Sequence, residues 1–309
     1  MLYISARSKT DSFTAYRTLC SDQAPDGGAY IPYQLPCFTA QDLSRFKVMS
    51  FGQIVADILN QFYSLKLSAW DVEICAGKQP VRIKEIPHRM IMAETCHNPQ
   101  SDYGYMEQHL YKKLAGKDAQ TKPTCWARIA FRVCLLFGVH AAFPGRHNKP
   151  FDLCVNGNDP TDAIAAYYAK KMGLPIRKII CCCTDNSALW DLTQRGEMSV
   201  SSHSDKHSVY LVETLLFHYF GRESVDRLQQ ALASKTTFRL DTDASLIIGD
   251  DFTSVVIGRE RTTELVRSVK NNSNYDITDA AAICFGCLQD YRAASGDICD
   301  TMILVDQKL

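Results

Sequence analysis

Residues 151–185, FDLCVNGNDPTDAIAAYYAKKMGLPIRKIICCCTD, constrain the fold more than any other stretch. They read as strand, loop, helix, strand. Leu153, Cys154 and Val155 form a short buried strand. The run Asn156, Gly157, Asn158, Asp159, Pro160 cannot continue it, because glycine and proline interrupt a ladder. A helix is predicted from Thr161. Asp159 suits its N-cap, Pro160 its first position, and Asp162 the positive end of its dipole. Ala163, Ile164, Ala166, Tyr167 and Ala169 recur at helical spacing, and Lys170 and Lys171 suit the last turn. Gly173 stops the helix and Pro175 bars its resumption. Residues 176–183 lack polar alternation, as expected of a strand buried on both faces. A unit of this length is a right-handed crossover in a parallel sheet.

A loop between a strand's end and a helix's N-terminus is where α/β proteins hold anions. This stretch resembles the phosphate-loop segment of threonine synthases, which are fold type II pyridoxal-phosphate enzymes. Their loop is close to Pro-Ser/Thr-Gly-Asn-Phe-Gly-Asp/Asn. An Ala- and Tyr-rich helix follows, then Ala-Lys-Lys/Ser-Met/Leu-Gly-Leu-Pro. Gly157 and Asn158 match, and so does the run Ala169, Lys170, Lys171, Met172, Gly173, Leu174, Pro175. The resemblance implies that Gly157, Asn158 and Thr161 are the remnant of a cofactor-binding phosphate loop. The loop also departs from the pattern. Pro160 stands near the second glycine and removes a donor. Asp159 and Asp162 place two carboxylates at the same helix end, opposing a dianion by roughly several kcal/mol at intermediate dielectric.

Other blocks extend the resemblance. The run Ala24, Pro25, Asp26, Gly27, Gly28, Ala29, Tyr30, Ile31, Pro32 is similar to the family's N-terminal motif Ala-Pro-Asp-Gly-Gly-Leu-Tyr-Val-Pro. Its turn calls for positive φ at Gly27 or Gly28. Residues 51–62 carry Ile54, Val55, Ile58, Leu59 and Phe62 on one helical face. Thr124, Cys125, Trp126, Ala127, Arg128, Ile129 resemble Ile-Asn-Trp-Ala-Arg-Ile, and residues 213–223 resemble a further family helix.

Residues 92–104, MAETCHNPQSDYG, sit where the family has Glu-Leu-Phe-His-Gly-Pro-Thr-x-Ala-Phe-Lys-Asp. Glu94, His97 and Pro99 match in register, and Gly104 falls at the lysine that forms the Schiff base. Without that amine the ordinary lysine chemistry of the cofactor is lost. Lys112 and Lys113 follow on an exposed amphipathic helix. The family then inserts a small α/β domain, on the order of 100 residues, where this chain has GKDAQTKPT. Tyr275 and Asp276 stand at the family's Asp-Pro-His, and the Pro-His pair is gone.

Two further patterns invite metal or redox chemistry. His203 and His207 sit four apart, but SSHSDKHS has no apolar period and reads as a solvated loop. Cys284 and Cys287 share one helical face, where small thiols pack. Residues 245–248 read as a short β segment, as do 255–257, with a helix near 262–269 and a terminal strand at 302–305.

Formal net charge is zero, so no basic excess points to nucleic acid or a membrane surface. The N-terminus, MLYISARSKTDS, lacks an apolar core, and the longest apolar run, 129–143, is too short to span a bilayer. The thirteen cysteines are then expected to be reduced and the protein cytoplasmic. The reading is an α/β fold: a parallel sheet flanked by helices in residues 125–309, an N-terminal α+β module in 1–90, and a shortened connection, 91–124, replacing the small domain. No catalytic residue, no metal and no cofactor are expected; pyridoxal phosphate enters by resemblance alone. The function so read is a catalytically inactive threonine-synthase-like protein with a binding role, partnered by a complete synthase or by itself. The alternative is an active pyridoxal-phosphate-dependent lyase of threonine biosynthesis.

Overall fold

The computed structural model describes all residues except 9, 77–80, 99–100, 144–148, 185–187, 200–205, 274–276 and 306–309. The N-terminal part opens with β1 (Leu2–Ser5) between β2 (Ser12–Thr14) and β3 (Tyr30–Pro32), both antiparallel to it. Four helices accompany this sheet: α1 (Ala15–Cys20), α2 (Ala40–Phe46), α3 (Phe51–Tyr63) and α4 (Ala69–Ala76). Helix α3 begins in a capping box between Ser50 and Gln53, and Ile54, Val55, Ile58, Leu59 and Phe62 are all buried on its predicted face. The Ala24–Gly28 turn closes with Gly27 at φ 79°. The Gly27 N–H donates to the Ala24 carbonyl at 2.8 Å, and the Asp26 carboxylate accepts from the Gly28 N–H and the Ser5 hydroxyl. A Cβ on Gly28 would come within 2.3 Å of the Ser5 hydroxyl oxygen, so the second glycine is needed for close approach.

Next come β4 (Arg82–Ile86) and β5 (Met90–Glu94), a short hairpin of β6 (Cys96–Asn98) and β7 (Ser101–Asp102), and α5 (Tyr103–Ala115). Only residues 116–124 separate α5 from α6 (Cys125–Ala141), whose N-cap is Thr124. Then follow β8 (Phe151–Asn156), α7 (Thr161–Lys171) and β9 (Ile176–Cys183), the unit expected from the sequence. The chain continues through a three-residue helix, α8 (Ala188–Trp190), a π turn, and a hairpin of β10 (Glu197–Met198) and β11 (Phe238–Arg239) that encloses α9 (Lys206–Phe220) and α10 (Arg222–Ser234). It ends with α11 (Thr242–Asp251), β12 (Phe252–Val256), α12 (Arg259–Ser273), α13 (Asp279–Ser295) and β13 (Thr301–Val305).

Among the described residues, six strands form the central sheet in the order β12-β9-β8-β13-β5-β4. The first five are parallel and β4 is an antiparallel edge. Strands β4 and β5, on either side of residue 88, thus complete a sheet whose other strands come from beyond residue 150. Period-two alternation divides the core. Leu153, Val155, Ile179, Cys181, Met302 and Leu304 face the larger apolar cluster with α6, α7 and the N-terminal helices. Cys154, Ile180, Cys182 and Ile303 face the smaller cluster with α13, which includes Cys284 and Cys287. Both helical cysteines are buried, and the Cys287 thiol donates to the Val255 carbonyl. Among the described residues the cysteines are free thiols.

One β reading is corrected: residues 245–248 lie inside α11. The three apolar residues after Ser245 cannot tell period 2 from period 3.6, and Asp243 in the first turn favours the helix. Leu246 and Ile247 are exposed on it.

Buried polar contacts help to hold the N-terminal module to the rest. Tyr3 packs edge-on against Trp126 of α6, whose indole N–H donates to the Tyr3 hydroxyl at 3.0 Å. Glu213 of α9 is fully buried and accepts from Arg7 Nε at 2.7 Å, from the Ala29 N–H at 3.2 Å, and from the Gln229 amide. Burial pushes this carboxyl up, against the pull of Arg7.

Candidate functional site

The loop after β8 lies at the carboxyl end of the parallel strands. From β8 the chain moves to β9 and β12 on one side, while β13 and β5 lie on the other. Such a change of direction opens the crevice where α/β folds place ligands. The three sequence-predicted residues are brought to this point: Gly157 and Asn158 in the loop, Thr161 opening α7.

Their donors are already engaged. The Gly157 N–H donates to the Cys182 carbonyl at 2.7 Å, continuing the β8–β9 ladder. A Cβ at Gly157 would sit 2.4 Å from the Cys183 sulfur, so this glycine serves the approach of loop to strand. The Asn158 N–H donates to the Asn156 side chain at 3.0 Å, and the Asn158 side chain pairs with Thr184. The Thr161 N–H and hydroxyl both donate to Asp159 Oδ1, at 3.0 and 2.6 Å. The N-cap is Pro160 rather than the expected Asp159, and Asp159, one residue upstream, supplies the acceptor for the Thr161 N–H that proline cannot.

Helices from elsewhere converge on the same carboxylate. Arg128 of α6 donates through Nη2 to Asp159 Oδ2 at 2.6 Å, and His207 Nε2 of α9 lies 3.3 Å from Oδ1. Burial alone would raise the Asp159 pKa. The His207 hydrogen bond, the Arg128 charge and the Thr161 donors instead hold it well below the usual carboxylate range. About half of the Asp159 side chain is exposed, so the ion pair is screened and adds little to stability. The second acidic residue, Asp162, turns to Arg132 at 3.3 Å.

These groups open on a cleft of about 1280 Å³, lined also by Asp22, Gln108, Gln120, Lys122 and Cys125. Cys125 Sγ lies 3.5 Å from His207 Nδ1, so thiol, imidazole and carboxylate stand in the order of a proton relay. The thiol is not activated. Burial and the neighbouring Asp22 push it up to about 12, and its own N–H is occupied by Asp22 Oδ1 at 2.9 Å. A protonated thiol is a poor nucleophile at neutral pH.

Reading along the chain missed Arg128 and His207 as partners of Asp159. His207 does not lie in a solvated loop: it belongs to the first turn of α9 and faces the loop after β8. Nothing in its linear neighbourhood signals that, because the contact spans 48 residues. His203, Pro99, Tyr275 and Asp276 lie outside the described residues. Gly104 stands exposed in the first turn of α5. Glu94, matched to the family, is buried at the end of β5 and accepts from Arg82 Nε at 2.5 Å. Among the described residues, no three His, Cys, Asp or Glu side chains are arranged to hold a metal ion, and no helix is long and apolar enough to cross a membrane.

Comparison with known proteins bears on these placements. The model of the threonine synthase N terminus matches residues 2–78. Threonine synthase of Saccharomyces cerevisiae is 28% identical over 170 residues, covering 48% of this chain and 33% of that protein. Threonine synthase of Methylobacillus glycogenes is 33% identical over 78 residues, 25% of this chain and 16% of that one. Threonine synthase-like 1 of Mus musculus is 45% identical over 48 residues, 16% of this chain and 6% of that protein. The matched segments thus span a third or less of these relatives. In fold, the chain is similar to pyridoxal-phosphate-bound threonine synthase of Brucella melitensis, with a TM-score of 0.80 at 17% identity over 100% of this chain and 89% of that one. It is also similar to the yeast enzyme, with a TM-score of 0.77 at 15% identity over 98% and 86%. The N-terminal segment is thus similar in sequence to the threonine synthase N terminus, and the chain shares the fold of threonine synthases through its length.

Proposed function

We propose that this chain is a threonine-synthase-like protein without lyase activity, which acts in the cytoplasm by binding. The observation that carries the reading is the position matched to the family's Schiff-base lysine: it holds Gly104, which has no amine, in the first turn of α5. The lysines farther along that helix do not replace it. Lys113 is tied to Asp71 at 2.5 Å, and Lys112 points to solvent in the last turn. The loop is also a poor fit for a cofactor phosphate. The N–H groups of Gly157, Asn158 and Thr161 are spent within the protein, and the Asp159 carboxylate sits at the helix end. No reaction step is therefore assigned to pyridoxal phosphate.

The connection 116–124 leaves no room for a substrate-covering domain between α5 and α6. The binding role so proposed is pairing with a complete threonine synthase or with a second copy of the chain. A second reading rests on Lys122, which lines the cleft beside Arg128 and Asp159. If the protein is an active lyase after all, that amine is the first candidate to hold the cofactor.

The test is borohydride reduction in the presence of pyridoxal phosphate, followed by peptide mass spectrometry and a phosphate-release assay with phospho-homoserine. The expected result is scattered, substoichiometric labelling and no release. A single stoichiometric adduct on Lys122, with release that vanishes in Lys122→Ala, would establish the second reading.

A further inference from the structure

We propose that Asp159 is a tethered anion: its carboxylate occupies the anion-binding end of α7 and closes it to free phosphate. This extends the functional reading above and is tested apart from it. Four donors from three helices meet on the one carboxylate. Oδ1 takes the Thr161 N–H, the Thr161 hydroxyl and His207 Nε2, and Oδ2 takes Arg128 Nη2. A guanidinium, an imidazole and an unpaired helix N–H are the groups that α/β proteins aim at a phosphate. Here they are aimed at a side chain two residues upstream. Burial notwithstanding, His207 and Arg128 keep that side chain ionised.

Tethering decides the competition. A group held on the same loop acts at an effective concentration on the order of millimolar or higher, before any gain from its fixed orientation. Free phosphate at cellular levels must displace it and also approach a second carboxylate, Asp162. Removal of the Asp159 carboxylate alone leaves Arg128, His207 and the Thr161 N–H converging on an emptied position that opens into the cleft. The loop would then be an oxyanion site.

The experiment compares the full chain with Asp159→Ala, Asp159→Asn and the double variant Asp159→Ala/Arg128→Ala. Thermal unfolding is followed at neutral pH, with and without inorganic phosphate at about 10 mM, at matched ionic strength. The native chain is expected to shift by less than about 1 °C. Asp159→Ala should gain about 3 °C or more from phosphate, and the double variant should lose that gain. Asp159→Asn removes the charge, keeps the shape, and carries the test if the alanine variant fails to fold; it should gain in the same direction. Equal phosphate responses in the native chain and the variants would overturn the proposal. So would an absent response in variants whose circular dichroism is native. None of these readouts involves pyridoxal phosphate or lyase activity, so a failure here leaves the functional reading standing, and the reverse.

Discussion

At the scale of single residues, burial sets the chemistry more than residue type does. His218 of α9 shows this. It is wedged among aromatic rings, with Nε2 at 2.9 Å from the Tyr168 hydroxyl. Burial, aided by Lys171, lowers its pKa to about 4 from an ordinary 6.5. The folded protein therefore binds this proton less readily than the unfolded chain. Its contribution is fully present above pH 6.5 and is lost as pH falls toward 4. The full linkage amounts to about 3 kcal/mol. Urea unfolding across that range should show the native chain losing stability, and His218→Gln losing about 1–3 kcal/mol less. Parallel pH profiles would show that His218 is not the coupled group. Cys125 follows the same logic with the opposite sign: burial favours the neutral form of a thiol, which here means the protonated one.

At the scale of elements, the chain's stops and starts are steric. Helix α7 ends where Gly173 adopts φ 112°, and the following backbone runs against Phe38. The Phe38 N–H donates to the Met172 carbonyl at 2.8 Å, which pins the loop before α2 to the helix end. A Cβ on Gly173 would lie 2.2 Å from the Phe38 carbonyl oxygen. Gly173→Ala should therefore cost about 2–4 kcal/mol, from positive φ plus a clash with backbone that cannot rotate away. Gly249, inside α11 with open space at its Cβ position, is the control. Its change to alanine should be neutral or stabilise by about 0.5–1 kcal/mol. Chemical denaturation of both variants checks the pair, and equal effects would contradict the steric account.

At the scale of the whole molecule, one buried carboxylate joins the N-terminal module to the α9–α10 region. Glu213, itself fully buried, receives Arg7, the Ala29 N–H and Gln229. Its loss would leave a partly buried guanidinium and a buried N–H without an acceptor. Arg7 retains some exposure, which lowers the penalty. Glu213→Ala is expected to cost about 2–4 kcal/mol. The damage should be local, so limited proteolysis of the variant should cut first within residues 1–30 while β8, α7 and β9 stay protected. Cleavage spread evenly along the chain would show that the module and the body unfold as one unit.

Much of this architecture was legible in the amino-acid order. Asp159, Gly173 and Pro175 bracket α7, and the unalternating run of 176–183 becomes a strand buried on both faces. The paired glycines of the N-terminal turn place positive φ at Gly27. These signals are local: they act through dihedral preference, capping and hydrophobic period, all contained within a few residues. Where local signals were short they failed, and 245–248 became helix. The family's Gly157 and Asn158 were visible in sequence, but the use made of their N–H groups was not. That use depends on β9 passing close enough for Cys182 to accept from Gly157. The meeting of Arg128 and His207 on Asp159 likewise joins residues 31 and 48 positions apart, on helices whose own patterns carry no trace of the contact. Sequence alone settled which segments fold, because those choices are local. Only the packing of α6, α7 and α9 decided what fills the anion-binding end of α7, because that depends on which helices pack together.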